Sequence, residues 1–353
     1  MSLPFKAMLD WINDEKISSF FLLHQLFGTF PYRVNRGKFT FHKRLHFWNY
    51  IVIFSIVGTC FSCILYVPPF LQGTLILVFV NAGQMVILMA PLLLFSIIVI
   101  LKKSKLDKYL YYIRSTGNSS FGHSNTVTIL ILSLCQITLV FFIMTDYNIF
   151  IANMNIYVVD YSCFLMFISI GGQFSGILIS INNRFIVLRK ALSSGNPIKL
   201  VDSLKTYEKL ITICEEVNDV YGFPIIFVFV YSFAFSITEC YSALSKTAPN
   251  ALMYVTWSTL TWSTAFRLVF TCSQVMYQAK EFNKKLKVST ADFRYLERSV
   301  QLKVLIHFAR RQKLVFTASK FFNLDFPFLG KILMQAAIYF LLLIQLNGLI
   351  PLF

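Results

Sequence analysis

The sequence predicts an all-α polytopic membrane protein with seven transmembrane helices, a cytoplasmic N-terminus and an extracellular C-terminus. Three observations predict it. Apolar residues fill 56% of the 353 positions and charged residues only 14%, against about 45–50% and about 25% in soluble domains. Seven apolar stretches are long enough to cross a hydrocarbon layer of about 30 Å as helices, the form that satisfies its own backbone hydrogen bonds in lipid. Lysine and arginine are concentrated in alternate connections between those stretches. The same composition excludes an ordinary soluble globule, a disordered chain and a charged coiled coil. The net charge of +16 does not indicate nucleic acid, because the 38 phenylalanines lie mostly inside apolar runs and not among the basic residues.

In chain order the expected spans are Phe47 to Val67, Leu75 to Leu101, Val127 to Phe150, Tyr161 to Ile181, Phe223 to Leu244, Ala251 to Gln274, and Lys331 to Ile350. Pro68-Pro69 with Gly73, and Pro249-Asn250, supply turns between spans. Asp10, Asp14 and Glu15 precede the first long apolar run, so no signal peptide is expected. Lysine plus arginine number 7 before the first span, 5 after the second, 6 after the fourth and 11 after the sixth, 29 of the 32 present. Cytoplasmic loops carry this excess, which sets the orientation. The sequon Asn118-Ser119-Ser120 then faces the cytosol and is expected to stay unglycosylated.

This pattern divides the chain into a cytoplasmic segment at 1–46, six spans over 47–274 with helical extensions at about 182–222, a cytoplasmic anchor region at 275–330, and a seventh helix with a short tail at 331–353. The extensions are amphipathic. Leu200, Leu204, Tyr207, Ile211 and Cys214 recur at helical spacing, and a second stretch from about Thr290 to Phe322 sets Phe293, Leu296, Val300, Val304 and Phe308 on one face. Such faces need a packing partner, either headgroups of membrane lipid or a helical layer that holds subunits together. The seven cysteines form no metal-ligand pattern and read as buried thiols. No P-loop, zinc motif or nucleophile elbow occurs. Neither an enzyme nor a cofactor is expected.

Near the C-terminus, Phe321, Phe322 and Leu324 form a Phe-Phe-x-Leu element, followed by Tyr339 and Gln345 in the last span. This resembles the signature of the insect gustatory receptor family, in which Thr-Tyr, five apolar residues and Gln-Phe follow the first element. Ile338 and Leu346 stand where that pattern has Thr and Phe. The segment Leu26 to Tyr32 resembles the start of the family more weakly. The resemblance implies a homotetrameric or heterotetrameric, tastant-gated, non-selective cation channel in the plasma membrane of chemosensory neurons. Its last helix lines one central pore, and each subunit binds its own ligand. The alternative is a G-protein-coupled chemoreceptor of opposite topology.

From the residues themselves, Gln345 is the strongly polar side chain in an apolar helix, so it faces protein or water. On a central axis its amide would meet permeating cations, with Leu342 and Leu346 as apolar constrictions. An interhelical hydrogen bond is the other reading. Tyr339 lies about 240° around the helix from Gln345 and is expected at a subunit contact. Asp146, Asp160, Tyr161, Glu239, Tyr254 and Trp257 gather near the outer ends of spans three to six. Carboxylates and rings together suit a sugar-like polyol or a bitter cation, while for each Tyr and Trp taken singly an interfacial aromatic belt is the favoured reading. Glu239 stands out because an intramembrane carboxylate is costly. Arg267, about seven residues inside span six, is expected to snorkel toward the cytoplasm.

Overall fold

The computed structural model describes residues 32–35, 38–41, 147–192, 197–245, 248–289 and 314–346, with single positions at 43, 47, 50, 51, 54, 97, 98, 101, 102, 105 and 300. Strands β1 (Tyr32–Asn35) and β2 (Lys38–Phe41) pair antiparallel with Tyr32 opposite Phe41. Among the described residues three long helices follow, α1 (Tyr147–Ala191), α2 (Pro197–Ser245) and α3 (Ala248–Ser289). A second hairpin, β3 (Thr317–Ala318) and β4 (Phe322–Asn323), leads into α4 (Phe326–Leu346). The all-α expectation holds apart from these two small hairpins.

The amphipathic extensions are not separate helices lying on headgroups. The stretch around Leu200–Cys214 continues without a break through the fifth expected span, making α2 one helix of 49 residues. Its predicted apolar face is the buried one: Leu200, Leu204, Tyr207 and Cys214 are all within the core. The face packs inside its own chain. Phe185 of α1 meets the Tyr207 ring edge-on at 5.7 Å, and Phe282 of α3 stacks on it at 4.5 Å. Asn283 also donates from Nδ2 to Tyr207 Oη at 2.8 Å, so the phenol is both packed and hydrogen-bonded, as a buried tyrosine should be.

The second amphipathic expectation is corrected in part. Helix does not extend to Phe322, because the chain from Thr317 to Asn323 forms β3 and β4. Val300 is helical and buried as expected, whereas Phe293, Leu296, Val304 and Phe308 lie outside the described residues. Likewise α4 starts at Phe326, one turn before the expected Lys331. The start is fixed by Asp325, whose Oδ1 accepts from the Phe328 backbone N–H at 3.0 Å, an N-cap contribution of about 1 kcal/mol.

Among the described residues, 200–237 of α2 and 326–345 of α4 are long and apolar enough to cross a membrane. In α2 an uncharged run, 220–238, lies between Asp219 and Glu239. Pro224 falls inside that run and withholds the N–H that would bond the Val220 carbonyl. Gly171 of α1 is a close approach to α3: a Cβ there would lie 3.0 Å from Thr264 Cγ2. The described cysteines bear out the buried-thiol reading at Cys214 and Cys272, and Cys240 is half-buried.

Because Phe282 is fully buried and stacked, Phe282→Ala should lower stability by about 3–5 kcal/mol. Thermal unfolding in detergent should show the loss, while Tyr277→Ala, at an exposed position of the same helix, should shift the midpoint little.

Candidate functional site

The candidate site is the last helix together with the hairpin that anchors it. In β3 and β4, Thr317 pairs with Asn323 and Ala318 with Phe322. The turn between them is closed by Phe321 N–H donating to Ala318 O at 2.9 Å. Ser319 and Lys320 both take positive φ, at 46° and 67°. Two consecutive left-handed residues are the geometry of a type I′ turn, for which Asn-Gly is the favoured pair. Serine and lysine adopt it at a cost of about 1–2 kcal/mol each, so packing must hold the turn in place.

Helix α2 provides that packing. The hairpin backbone lies against Gly222 so closely that a Cβ there would stand 2.9 Å from Ser319 N and 3.2 Å from Thr317 O. Four residues earlier, Asn218 grips Thr317 with both ends of its amide. The Thr317 N–H donates to Asn218 Oδ1 at 3.0 Å, and Asn218 Nδ2 donates to Thr317 Oγ1 at 3.3 Å. Beneath the turn Phe316, Ala318 and Leu324 are fully buried, and Leu324 N–H donates to Phe316 O at 2.9 Å. Phe316 meets Phe174 of α1 edge-on, and Phe174 in turn packs on Tyr221, whose hydroxyl donates to Gln173 Oε1 at 3.2 Å.

Residues near the end of the second expected span complete the junction. Lys102 Nζ lies 2.9 Å from Asp219 Oδ1 and donates to the Asp219 carbonyl at 2.7 Å; Lys105 pairs with Asp219 Oδ2. Burial pushes the Asp219 carboxyl up, but hydrogen bonds from Lys102 and Lys105 outweigh it and hold the group below the usual carboxylate range. The bond to Asp219 holds the Lys105 ammonium above its ordinary value. Sequence reasoning passed over Asn218, Asp219, Gly222, Lys102 and Lys105. The available signal was Gly222 and Pro224 inside one helix, an arrangement that requires a packing reason.

The Phe-Phe-x-Leu element divides between two environments. Leu324 is buried and Phe322 is half-buried, in a cluster with Phe229 of α2 and Phe328 of α4 at 5.6 and 3.9 Å, whereas Phe321 is exposed. On α4, Leu329, Ala336 and Ile344 form the buried stripe. The opposite side presents Lys331, Met334, Ile338, Leu342 and Gln345, all exposed in the single chain. Tyr339 is half-exposed and meets Phe233 of its own α2 edge-on at 5.8 Å.

Of the ligand candidates, Asp160 and Tyr161 are on α1, Glu239 on α2, and Tyr254 and Trp257 on α3. Their side chains, that of Leu346, and the whole of Asp146 lie outside the described residues. Arg267 is half-buried, and among the described residues its Nη2 is buried without a hydrogen-bonding partner.

Three outcomes test the hairpin junction. Helix propensity alone favours Gly222→Ala by about 1 kcal/mol, so a net loss of about 1–3 kcal/mol in detergent unfolding would report the backbone collision. Lys320→Gly should stabilise by about 1 kcal/mol, because the left-handed conformation then carries no strain. Asp219→Asn should cost about 1 kcal/mol or less for this half-exposed pair. That loss should be constant from pH 6 to 8. The lowered Asp219 keeps its full contribution until pH falls to the ordinary carboxylate value, and the raised Lys105 keeps its own until pH rises to the ordinary lysine value.

The profile of the 7tm chemosensory receptor family matches residues 17–347. Among curated protein sequences none matches. The fold is similar to that of the insect olfactory receptor OR5 from Machilis hrabei, at 16% identity and a TM-score of 0.68, covering 97% of this chain and all of the other. The same receptor in complex with eugenol aligns at 18% identity and a TM-score of 0.67, covering 93% and 97%. At these identities the likeness establishes the fold, which is the seven-transmembrane one, and a G-protein-coupled receptor of opposite topology is not favoured. With the match spanning nearly its full length, the chain belongs to the 7tm chemosensory receptor family and is a membrane receptor, not an enzyme.

Proposed function

We propose that the chain is a gustatory receptor: a tastant-gated, non-selective cation channel of the plasma membrane, assembled as a homotetramer or as a heterotetramer with related subunits. The observation that carries this reading is the exposed face of α4. Met334, Ile338 and Leu342 leave a long apolar surface open in the single chain, with Gln345 near its end. An amide facing lipid is costly, and four copies around an axis would set it against water and cations with Leu342 and Leu346 as constrictions.

The cytoplasmic N-terminus and external C-terminus rest on the alternation of basic connections. The gustatory assignment rests on Phe321, Phe322, Leu324, Tyr339 and Gln345. A small-molecule ligand is supported by the complex of the Machilis olfactory receptor with eugenol. In this chain Asp160, Tyr161, Glu239, Tyr254 and Trp257, with Asp146, are the residues proposed to meet a sugar-like or bitter tastant.

Expression of the chain alone in cells lacking other receptors, with patch-clamp recording against a tastant panel, tests the reading. The expected result is a ligand-evoked cation current that persists under G-protein block. Gln345→Ala should measurably change relative permeability or unitary conductance while leaving surface expression intact, because a ring of polar groups lining a pore sets both. Currents abolished by G-protein block, or a C-terminal tag found on the cytoplasmic side of intact cells, would overturn it.

A further inference from the structure

Among the described residues, four buried side-chain atoms have no hydrogen-bonding partner: Ser175 Oγ, Asn182 Oδ1, Arg267 Nη2 and Gln278 Oε1. Two belong to α1 and two to α3. Their placement follows from the close contact of Gly171 with Thr264, which marks the face each helix turns to the other. The two helices run the same way, because farther along each one Phe185 and Phe282 meet the same ring, that of Tyr207.

At 100° per residue, Ser175 and Asn182 lie about 40° and 20° round from Gly171 in one sense, and Arg267 and Gln278 lie about 60° and 40° round from Thr264 in the other. On parallel helices that face one another, opposite rotations lean toward the same flank of the seam. Phe174, about 60° the other way on α1, packs on Tyr221 of α2, so α2 occupies the opposite flank. In depth, Ser175 lies about 6 Å and Arg267 about 4.5 Å beyond the contact, on one level; Asn182 and Gln278 follow about 16 and 21 Å beyond it.

We propose that Ser175 and Arg267 form an oxyanion site on this flank of the α1–α3 seam, taking a phosphate or carboxylate group, with Asn182 and Gln278 accepting from water along the approach to it. A guanidinium inside a membrane span needs a counter-charge, and among the described residues no carboxylate pairs with Arg267. Its planar fork suits an oxyanion better than a point charge would, and the serine hydroxyl adds a donor at the same depth. The approach leads toward the ends of α1 and α3 that carry Arg189, Lys190, Lys280 and Lys284, a positive rim that attracts anions. The group can come from a lipid headgroup or from a free anion.

Full-length receptor in phosphatidylcholine nanodiscs, with and without phosphatidic acid, distinguishes the two sources. Native mass spectrometry after mild delipidation should show phosphatidic acid retained by the wild type if a headgroup fills the site. A rise in thermal midpoint with inorganic phosphate in discs of phosphatidylcholine alone marks the free anion. Arg267→Gln should weaken whichever signal is seen by about tenfold or more, as expected for loss of a charged donor, and Ser175→Ala by a few fold. If Arg267→Gln fails to fold, Ser175→Ala and Arg267→Lys carry the test, each with a reduced signal. Wild-type receptor showing neither signal, or variants retaining it unchanged, would overturn the site.

Discussion

The docking of the β3–β4 hairpin on α2 sets the position of everything C-terminal to it, and that docking depends on the missing side chain at Gly222. A turn of two left-handed residues that are neither glycine nor asparagine is intrinsically unfavourable. It persists because Ser319 and Thr317 reach the α2 backbone at contact distance and because Asn218 ties down the Thr317 backbone and hydroxyl together. With the hairpin fixed, Asp325 follows directly as the cap of α4, and the Phe229, Phe322 and Phe328 rings fix the angle at which the last helix leaves. The strained turn, the glycine and the capped helix form one mechanical unit.

This unit joins parts of the chain that are remote in sequence. Asp219 collects Lys102 and Lys105 from more than a hundred residues upstream, while Asn218 and Gly222 collect the hairpin from about a hundred residues downstream. One and a half turns of α2 therefore hold two segments remote from it in sequence. Their energies differ in kind. The ion pairs are half-exposed and contribute little to stability, whereas the buried contacts of Phe316, Ala318 and Leu324 exclude water and carry most of the attachment.

The sequence made some of this legible and hid the rest for physical reasons. Leu200, Leu204, Tyr207 and Cys214 announce a buried helix face because burial on a helix imposes a period of 3.6 residues. Leu324 and the start of α4 at Asp325 were within reach of the same reasoning, since Asp-Phe-Pro is a helix-entry signal. The hairpin was not, because Ser319-Lys320 lacks the glycine or asparagine that marks such a turn, and an apolar period read from Thr290 runs through it as if helix continued. The polar seam was hidden differently. Ser175 and Arg267 are 92 positions apart, and each alone looks like an isolated polar residue in a span. Depth and chemistry, which sequence supplies, single out Glu239, Tyr254 and Trp257; whether they share a pocket depends on helix rotation, which it does not supply.

Helix α2 has 49 residues and so extends for about 74 Å at 1.5 Å per residue, more than twice the thickness of a hydrocarbon layer. A rod of that length acts as a lever. Pivoting by about 5° around its midpoint would carry either tip roughly 3 Å, with no bending of the rod itself. A small angular change at one end of the rod would thereby become a displacement at the other.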